Sequence, residues 1–351
     1  MIFEHNKKIN TLKFIDDIIT SIKISHVIYV PCSYLKYLIN GFINDGRTEM
    51  IIAANEAIAT SIAVGIKASG GNPLLMMQSS GFCNASSPIT SCVVPGDIHI
   101  ATIVSWRKVN DDSDDIQHSV LSNNLEKFVL ATGVDWFSKL NIHNLLESSR
   151  TTGICWVGPD AFSKVELKNT ITSTNPLRTS FLKILNNHYK NENIKFIATT
   201  GNTNNEMYKF CNNLNIFYMT GNMGSALSIG FGFALTGTKT IVCGGDSEFQ
   251  MHLGGLITCE NNVPLTYIIF DNKVNKSTGG QQTKHCDIIK ITTSMGYNTF
   301  YTNDLTQFEN ILNNIDQNYS NCTNIILVEC SLDKSFSRPP KYITEQSIKG
   351  K

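Results

Sequence analysis

A chain of 351 residues is too long for one ordinary core and fits two domains. Its 42% hydrophobic and 17% charged residues exclude intrinsic disorder. The 29 basic residues are matched by 29 acidic ones, which excludes the basic excess of a nucleic-acid or membrane-surface binder, so an anionic ligand has to be held by local groups.

The opening Met1-Ile2-Phe3-Glu4-His5-Asn6-Lys7-Lys8 is polar and lacks the apolar core of a signal peptide, and no apolar run is long enough to span a bilayer. None of the ten cysteines forms a Cys-x-x-Cys pair, and Cys155, Cys243 and Cys330 sit in apolar runs, where a buried thiol is expected. These features point to a cytoplasmic protein.

Apolar runs alternate with helical patterns from the start, which predicts an α/β chain with mainly parallel sheets. A strand over 27–30 ends in Pro31-Cys32-Ser33. Ser33 lies where strand ends meet ligands, and it is also placed to cap a helix over 34–44. Glu56 heads a small, apolar helix (Ala57-Ile58-Ala59 onward), so its carboxylate is expected to be partly buried, or else to rest on the helix dipole. A strand over 74–78 leads to a polar loop over 79–85, and a strand over 98–104 ends in Ser105-Trp106-Arg107. After the acidic stretch 110–115 comes Gln117-His118, a pair able to donate and accept, with His118 open to a catalytic or a structural role. The runs 128–134 and 152–159 complete this half. Domains are expected over 1–165 and 179–351, joined by a linker over 166–178, the second ending in an extended arm.

In the second half, a helix over 179–191 and a strand over 194–198 lead to Thr199-Thr200-Gly201-Asn202-Thr203, a strand-end turn suited to an anion. Gly221-Asn222-Met223-Gly224 opens a helix over 225–235 whose Gly230 and Gly232 suggest close approach by a ligand or another backbone. A strand over 240–244 then runs into Gly245-Asp246-Ser247, and the next strand ends in Asp271-Asn272. Asp246 and Asn272 would present hard oxygens at adjacent strand ends, the ligand type of a Mg²⁺ ion that carries phosphates. The stretch 277–283 is expected to be a polar, mobile loop.

The Gly-Asp turn and the later Asp271-Asn272 resemble the thiamine-diphosphate (ThDP) signature, with Ser247 in place of the usual second Gly and Asp271 in place of the usual first Asn. Further stretches extend the likeness over nearly the whole chain: Val30-Pro31-Cys32-Ser33-Tyr34-Leu35-Lys36, Ala54-Asn55-Glu56, Met77-Gln78-Ser79-Ser80-Gly81, Ser105-Trp106-Arg107 with Gln117-His118, Thr199-Thr200-Gly201, Gly221-Asn222-Met223-Gly224, Ser277-Thr278-Gly279-Gly280-Gln281 and Ser337-Arg338-Pro339. Together they resemble the phosphonopyruvate decarboxylase and sulfopyruvate decarboxylase family. The resemblance implies two ThDP-binding-fold domains, pyrimidine-binding then diphosphate-binding, and a homo-oligomer, at least a dimer, with the site between subunits.

It also implies roles. Glu56 would exchange a proton with N1′ of the aminopyrimidine, with Gln117 and His118 as further catalytic candidates. The Gly221 carbonyl would accept from the 4′-amino group, and Met223 would wedge between the rings. Asp246, Asn272 and the Val274 carbonyl would bind Mg²⁺, while Gly201, Asn202, Thr203, Gly245 and Ser247 would line the diphosphate. Ser33, Arg107, Lys276 and Gln281 would meet a small anionic 2-oxo acid, phosphonopyruvate first. Asn275-Lys276 departs from the family's His-Asp, which opens sulfopyruvate decarboxylation or carboligation as alternatives, and a non-catalytic ThDP-fold protein stands as the other class.

Overall fold

The computed structural model describes residues 8–107, 118–169, 173–332, 336–340 and 343. The chain divides into two compact units, Met1–Thr170 with Asn275–Gln281, and Ile171–Val274 with Gln282–Lys351.

The first unit is built on a six-stranded sheet: β1 (His26–Tyr29), β2 (Glu49–Ile52), β3 (Pro73–Gln78), β4 (Ala101–Ser105), β5 (Asp135–Lys139) and β6 (Gly153–Val157). Every pairing is parallel, in the order β2-β1-β3-β4-β6-β5. Parallel strands need crossover helices, so both faces are covered and the strands read as unbroken apolar runs. All five residues of β4 are buried. The helix Thr11–Ile22 shows the matching 3.6 periodicity: Phe14, Ile15, Ile18 and Ile22 are buried, and Asn10 caps it by accepting from the Lys13 amide at 3.1 Å.

The second unit holds β7 (Lys195–Ala198), β8 (Asn215–Tyr218), β9 (Thr240–Gly245) and β10 (Leu265–Asp271), then β13 (Asn298–Thr302) and β14 (Thr323–Glu329), and between β10 and β13 in the chain come the short β11 (Val274–Asn275) and β12 (Gln281–Gln282), of which Asn275 and Gln281 belong to the first unit. Its six-stranded sheet is also wholly parallel, in the order β8-β7-β9-β10-β14-β13. With the β11–β12 pair set aside, this is the order of the first sheet moved along the chain. The repeat is one of topology and leaves no visible trace in the sequence.

The shared order fixes where a ligand belongs. In each sheet the chain leaves one strand to one side and returns to the other, between β1 and β3 in the first unit and between β7 and β9 in the second. The crevice outside the carboxyl ends of strands at such a switch point is the usual binding place. Ser33 and the 79–81 turn follow β1 and β3. Thr199–Asn202 and Asp246 follow β7 and β9.

Several expectations are corrected. The 34–44 helix is Lys36–Asp45, and Leu35 rather than Ser33 sits at its N-cap, without a side-chain cap. Residues 79–85 are not an open loop: Ser79–Gly81 forms a 3₁₀ turn that runs into the helix Phe82–Pro88. The 128–134 run falls across the helix Leu125–Ala131, and β5 follows it. Gly230 and Gly232 part company. A Cβ at Gly230 would lie 2.2 Å from Val242 Cγ2, so this glycine lets the helix Ala226–Leu235 press onto β9, whereas a Cβ at Gly232 would meet none of the described residues within 4 Å. The 277–283 stretch is not an open loop: Lys276–Thr278 forms a 3₁₀ turn, Gln281–Gln282 is β12, and Gln281 is buried. Among the described residues no helix is long and apolar enough to cross a membrane.

Candidate functional site

In the first unit, the helix Glu56–Ala68 starts just beyond β2, with Asn55 capping it by accepting from the Ile58 amide at 3.1 Å. This places Glu56 at the first helical position, 2% exposed. Its Oε2 accepts from Asn84 Nδ2 at 3.0 Å. The other oxygen lies against Gly81, where a Cβ would stand 1.9 Å from Oε1. Gly81 is therefore a glycine because a carboxylate occupies the space of its side chain. The motif Ser79-Ser80-Gly81 carried that signal, although its partner could not be read from it.

Ser33 and Arg107 are brought together from the ends of β1 and β4. Arg107 Nη2 donates to Ser33 Oγ, and the guanidinium lies 4.3 Å from the centroid of the Tyr34 ring. The Arg107 amide reaches Ser79 Oγ at 3.4 Å, and Ser122 Oγ donates to the Arg107 carbonyl. His118 is buried just ahead of the short helix Ser119–Ser122 that carries Ser122. Gln117 lies outside the described residues. Gln281 Nε2 donates to Asn40 Oδ1 at 2.7 Å, and Asn40 Nδ2 donates to the Gly279 and Val165 carbonyls at 3.3 Å. Lys276, in the same stretch, is exposed.

In the second unit, the helix Asn202–Phe210 starts on Gly201, at φ 93° and ψ −144°, a backbone region that is nearly glycine's own. Among the described residues no side chain caps its first turn. Beside it Thr199 Oγ1 and Asn204 Oδ1 are buried and have no hydrogen-bond partner among the described residues. A first turn of free N–H groups with a buried hydroxyl next to it fits a diphosphate. The helix is held by a bidentate, almost fully buried pair: Arg178 Nε and Nη2 donate to Glu206 at 2.8 and 2.9 Å. Arg178 and Glu206 had no readable signal, since they are 28 residues apart in ordinary helical patterns.

Asp246 begins the helix Asp246–Met251 and is 3% exposed. Its Oδ2 accepts from Thr283 Oγ1 at 2.8 Å, and among the described residues no cationic side chain pairs with it. Burial, then repulsion from Asp271, pushes its carboxyl up to about 6. Asp271 itself is matched by Lys273, whose Nζ also reaches Glu329 Oε1 at 2.9 Å. Asn272 Oδ1 accepts from the Val274 amide at 3.1 Å, which folds the two expected oxygen donors, Asn272 and the Val274 carbonyl, into one tight turn. A buried carboxylate short of positive charge, near a loop of oxygen donors, fits a hard divalent cation.

Gly221, Asn222, Met223 and Gly224 form a turn with Asn222 at φ 55° and Gly224 at φ 97°. Met223 is 37% exposed. The residues just beneath escaped the sequence reading. Glu248, 1% exposed, accepts from the Ala226 amide at 3.0 Å and from the Tyr267 hydroxyl. Burial pushes the Glu248 carboxyl up, and burial with that neighbour pushes the Tyr267 hydroxyl up.

Comparison with known proteins bears on this pair of units. The profile of the thiamine pyrophosphate enzyme C-terminal TPP binding domain matches residues 199–317, which defines the class. The chain is 27% identical over 313 residues to a phosphonopyruvate decarboxylase of Streptomyces viridochromogenes, covering 80% of this chain and 78% of that one. It is 28% identical over 316 residues to a phosphonopyruvate decarboxylase of Streptomyces hygroscopicus, covering 80% and 77%. It is 37% identical over 165 residues to the sulfopyruvate decarboxylase subunit beta of Methanocaldococcus jannaschii, covering 44% of this chain and 87% of that one. The chain belongs to the phosphonopyruvate and sulfopyruvate decarboxylase family of ThDP-dependent decarboxylases.

Proposed function

We propose that this enzyme uses Mg²⁺ and ThDP to decarboxylate a 2-oxo acid carrying a second anionic group, phosphonopyruvate first, and that it works as a homo-oligomer, at least a dimer. The first unit is the pyrimidine-binding domain and the second the diphosphate-binding domain. The observation that carries the cofactor reading is the buried Asp246, beside the Asn272–Val274 turn and on the same sheet as the uncapped Gly201 turn. ThDP would supply an electron sink for the pair left on the substrate carbon as CO₂ departs.

The chain's own groups do the rest. Asp246, Asn272 and the Val274 carbonyl hold the metal, and the amides of Gly201, Asn202 and Thr203 with the Thr199 hydroxyl hold the diphosphate. Gly245 and Ser247 flank the same end. The Gly221 carbonyl and Met223 orient the aminopyrimidine, and Glu56 holds a proton at N1′. Ser33 and Arg107 bind the anionic tail of the substrate: a planar guanidinium suits phosphonate oxygens, and stacking on Tyr34 holds its orientation. Lys276 and Gln281 lie on one stretch of that unit and are the further candidates for substrate contact, with His118 and Gln117 for proton transfer.

Sulfopyruvate is the second reading, supported by the 37% identity to a sulfopyruvate decarboxylase subunit and by the similar tetrahedral anion of a sulfonate. CO₂ release from phosphonopyruvate, sulfopyruvate and pyruvate, each with Mg²⁺ and ThDP, tests the proposal. Release from pyruvate alone would overturn the anionic pocket. Arg107→Lys is expected to raise KM for the anionic substrate roughly tenfold, a loss on the scale of one charge-assisted hydrogen bond, with little change for pyruvate. An equal rise for both substrates would remove Arg107 from tail recognition.

A further inference from the structure

We propose that Glu248, held by Tyr267, is a positioning residue that keeps the Gly221-Asn222-Met223-Gly224 turn in register with Asp246. The inference rests on the cofactor reading above. A carboxylate this deeply buried is tolerated only with good partners, and Glu248 has two on different elements: Tyr267 in β10 and the amide of Ala226. Ala226 is the first residue of the helix Ala226–Leu235, which lacks a side-chain cap of its own. The N-cap residue, Ser225, turns its hydroxyl instead to His252 Nδ1 at 3.3 Å. Glu248 thus caps that helix from outside, and the helix begins directly after the Gly221–Gly224 turn.

The same short helix, Asp246–Met251, meets the turn at a second place. A Cβ on Gly224 would lie 2.9 Å from Met251 Cβ, so the turn is seated against this helix by close approach. Gly244 completes the arrangement. A Cβ there would lie 2.4 Å from Glu248 Oε2 and 2.7 Å from the Tyr267 hydroxyl, so the buried pair requires glycine at that point of β9. One six-residue helix therefore starts with the metal-site carboxylate and, two residues on, fixes the start of the element that follows the ring-binding turn. Both oxygens of Glu248 are engaged by the Ala226 amide and the Tyr267 hydroxyl, so its part is to position these elements.

The full chain is used for the test, with ThDP affinity measured by calorimetry at saturating Mg²⁺. Magnesium pyrophosphate, which offers metal and phosphates but no ring, is measured in parallel. Glu248→Leu is expected to weaken ThDP by about 10- to 100-fold, the range for an outer-shell partner, while magnesium pyrophosphate binds as before. Glu248→Gln keeps an acceptor for the Ala226 amide and restores most of the affinity. Tyr267→Phe, a milder change, shows the same split at smaller size. Equal weakening of both ligands would make Glu248 a plain structural support and overturn the proposal, and so would unchanged ThDP affinity in Glu248→Leu. A wild-type chain that binds neither ligand would overturn the cofactor reading itself, a result distinct from either.

Discussion

Asp246→Ala is expected to abolish retention of ThDP and Mg²⁺, with affinity falling more than about 100-fold, beyond the 10- to 100-fold seen for outer-shell groups. The carboxylate is the one full negative charge in the proposed metal set, since Asn272 and the Val274 carbonyl contribute only dipoles. Thermal stability separates this from misfolding. In the cofactor-free chain Asp246 is a buried carboxylate that accepts a side-chain hydrogen bond from the Thr283 hydroxyl, so its removal takes away a desolvated charge and should not lower the melting temperature. Wild type should gain on the order of 2.7 kcal/mol when ligand is present at a hundred times its dissociation constant, and the variant should gain nothing. A variant that still melts higher with ThDP and Mg²⁺ would show that the metal is held elsewhere.

Glu56→Gln is expected to bind ThDP nearly as wild type does and to lose about 10²- to 10⁴-fold in turnover, the usual contribution of a placed proton-transfer group. Glutamine fills the same space beneath Gly81 and can still accept from Asn84, so only the exchangeable proton is lost. Gly81→Ala provides a companion test. Its methyl would stand 1.9 Å from Glu56 Oε1 and must push the carboxylate aside, so turnover should fall although Glu56 is present. CO₂ release beside calorimetric affinity reads both. Near-normal turnover in Glu56→Gln would assign the proton to another group.

What could be read from the sequence follows from the range of the interactions. The strand ends that carry Asp246 and Asn272 were legible because strand, turn and helix patterns are local, and a Gly-Asp turn at a strand end is where an anion and its metal are expected. The helix head at Glu56 was legible for the same reason. Arg178–Glu206 and Glu248–Tyr267 were not, because each pair is made by packing between elements 28 and 19 residues apart. Gly230 and Gly232 look alike in sequence, yet one faces β9 and the other open space, a difference of helical phase against the sheet. Ser33 was placed correctly at a strand end, but its hydroxyl accepts from Arg107 and does not cap a helix, because the helix starts later, at Lys36. The twofold use of one strand order was invisible, since the topology depends on which strands pair and not on which residues fill them.

The three tryptophans of the chain lie together. Trp106 follows β4, Trp136 is in β5 and Trp156 in β6, with ring centroids 4.9 to 6.3 Å apart. Indole emission therefore comes from the rim of one sheet, and the half of the molecule that carries Asp246 is dark under selective indole excitation. A melting curve followed by tryptophan fluorescence reports the first sheet alone, while far-ultraviolet circular dichroism sums both. Coincident curves would mean that the two halves melt as one cooperative body, and a gap between them would measure their independence. The protein thus carries its own optical label, confined to the unit that holds Glu56.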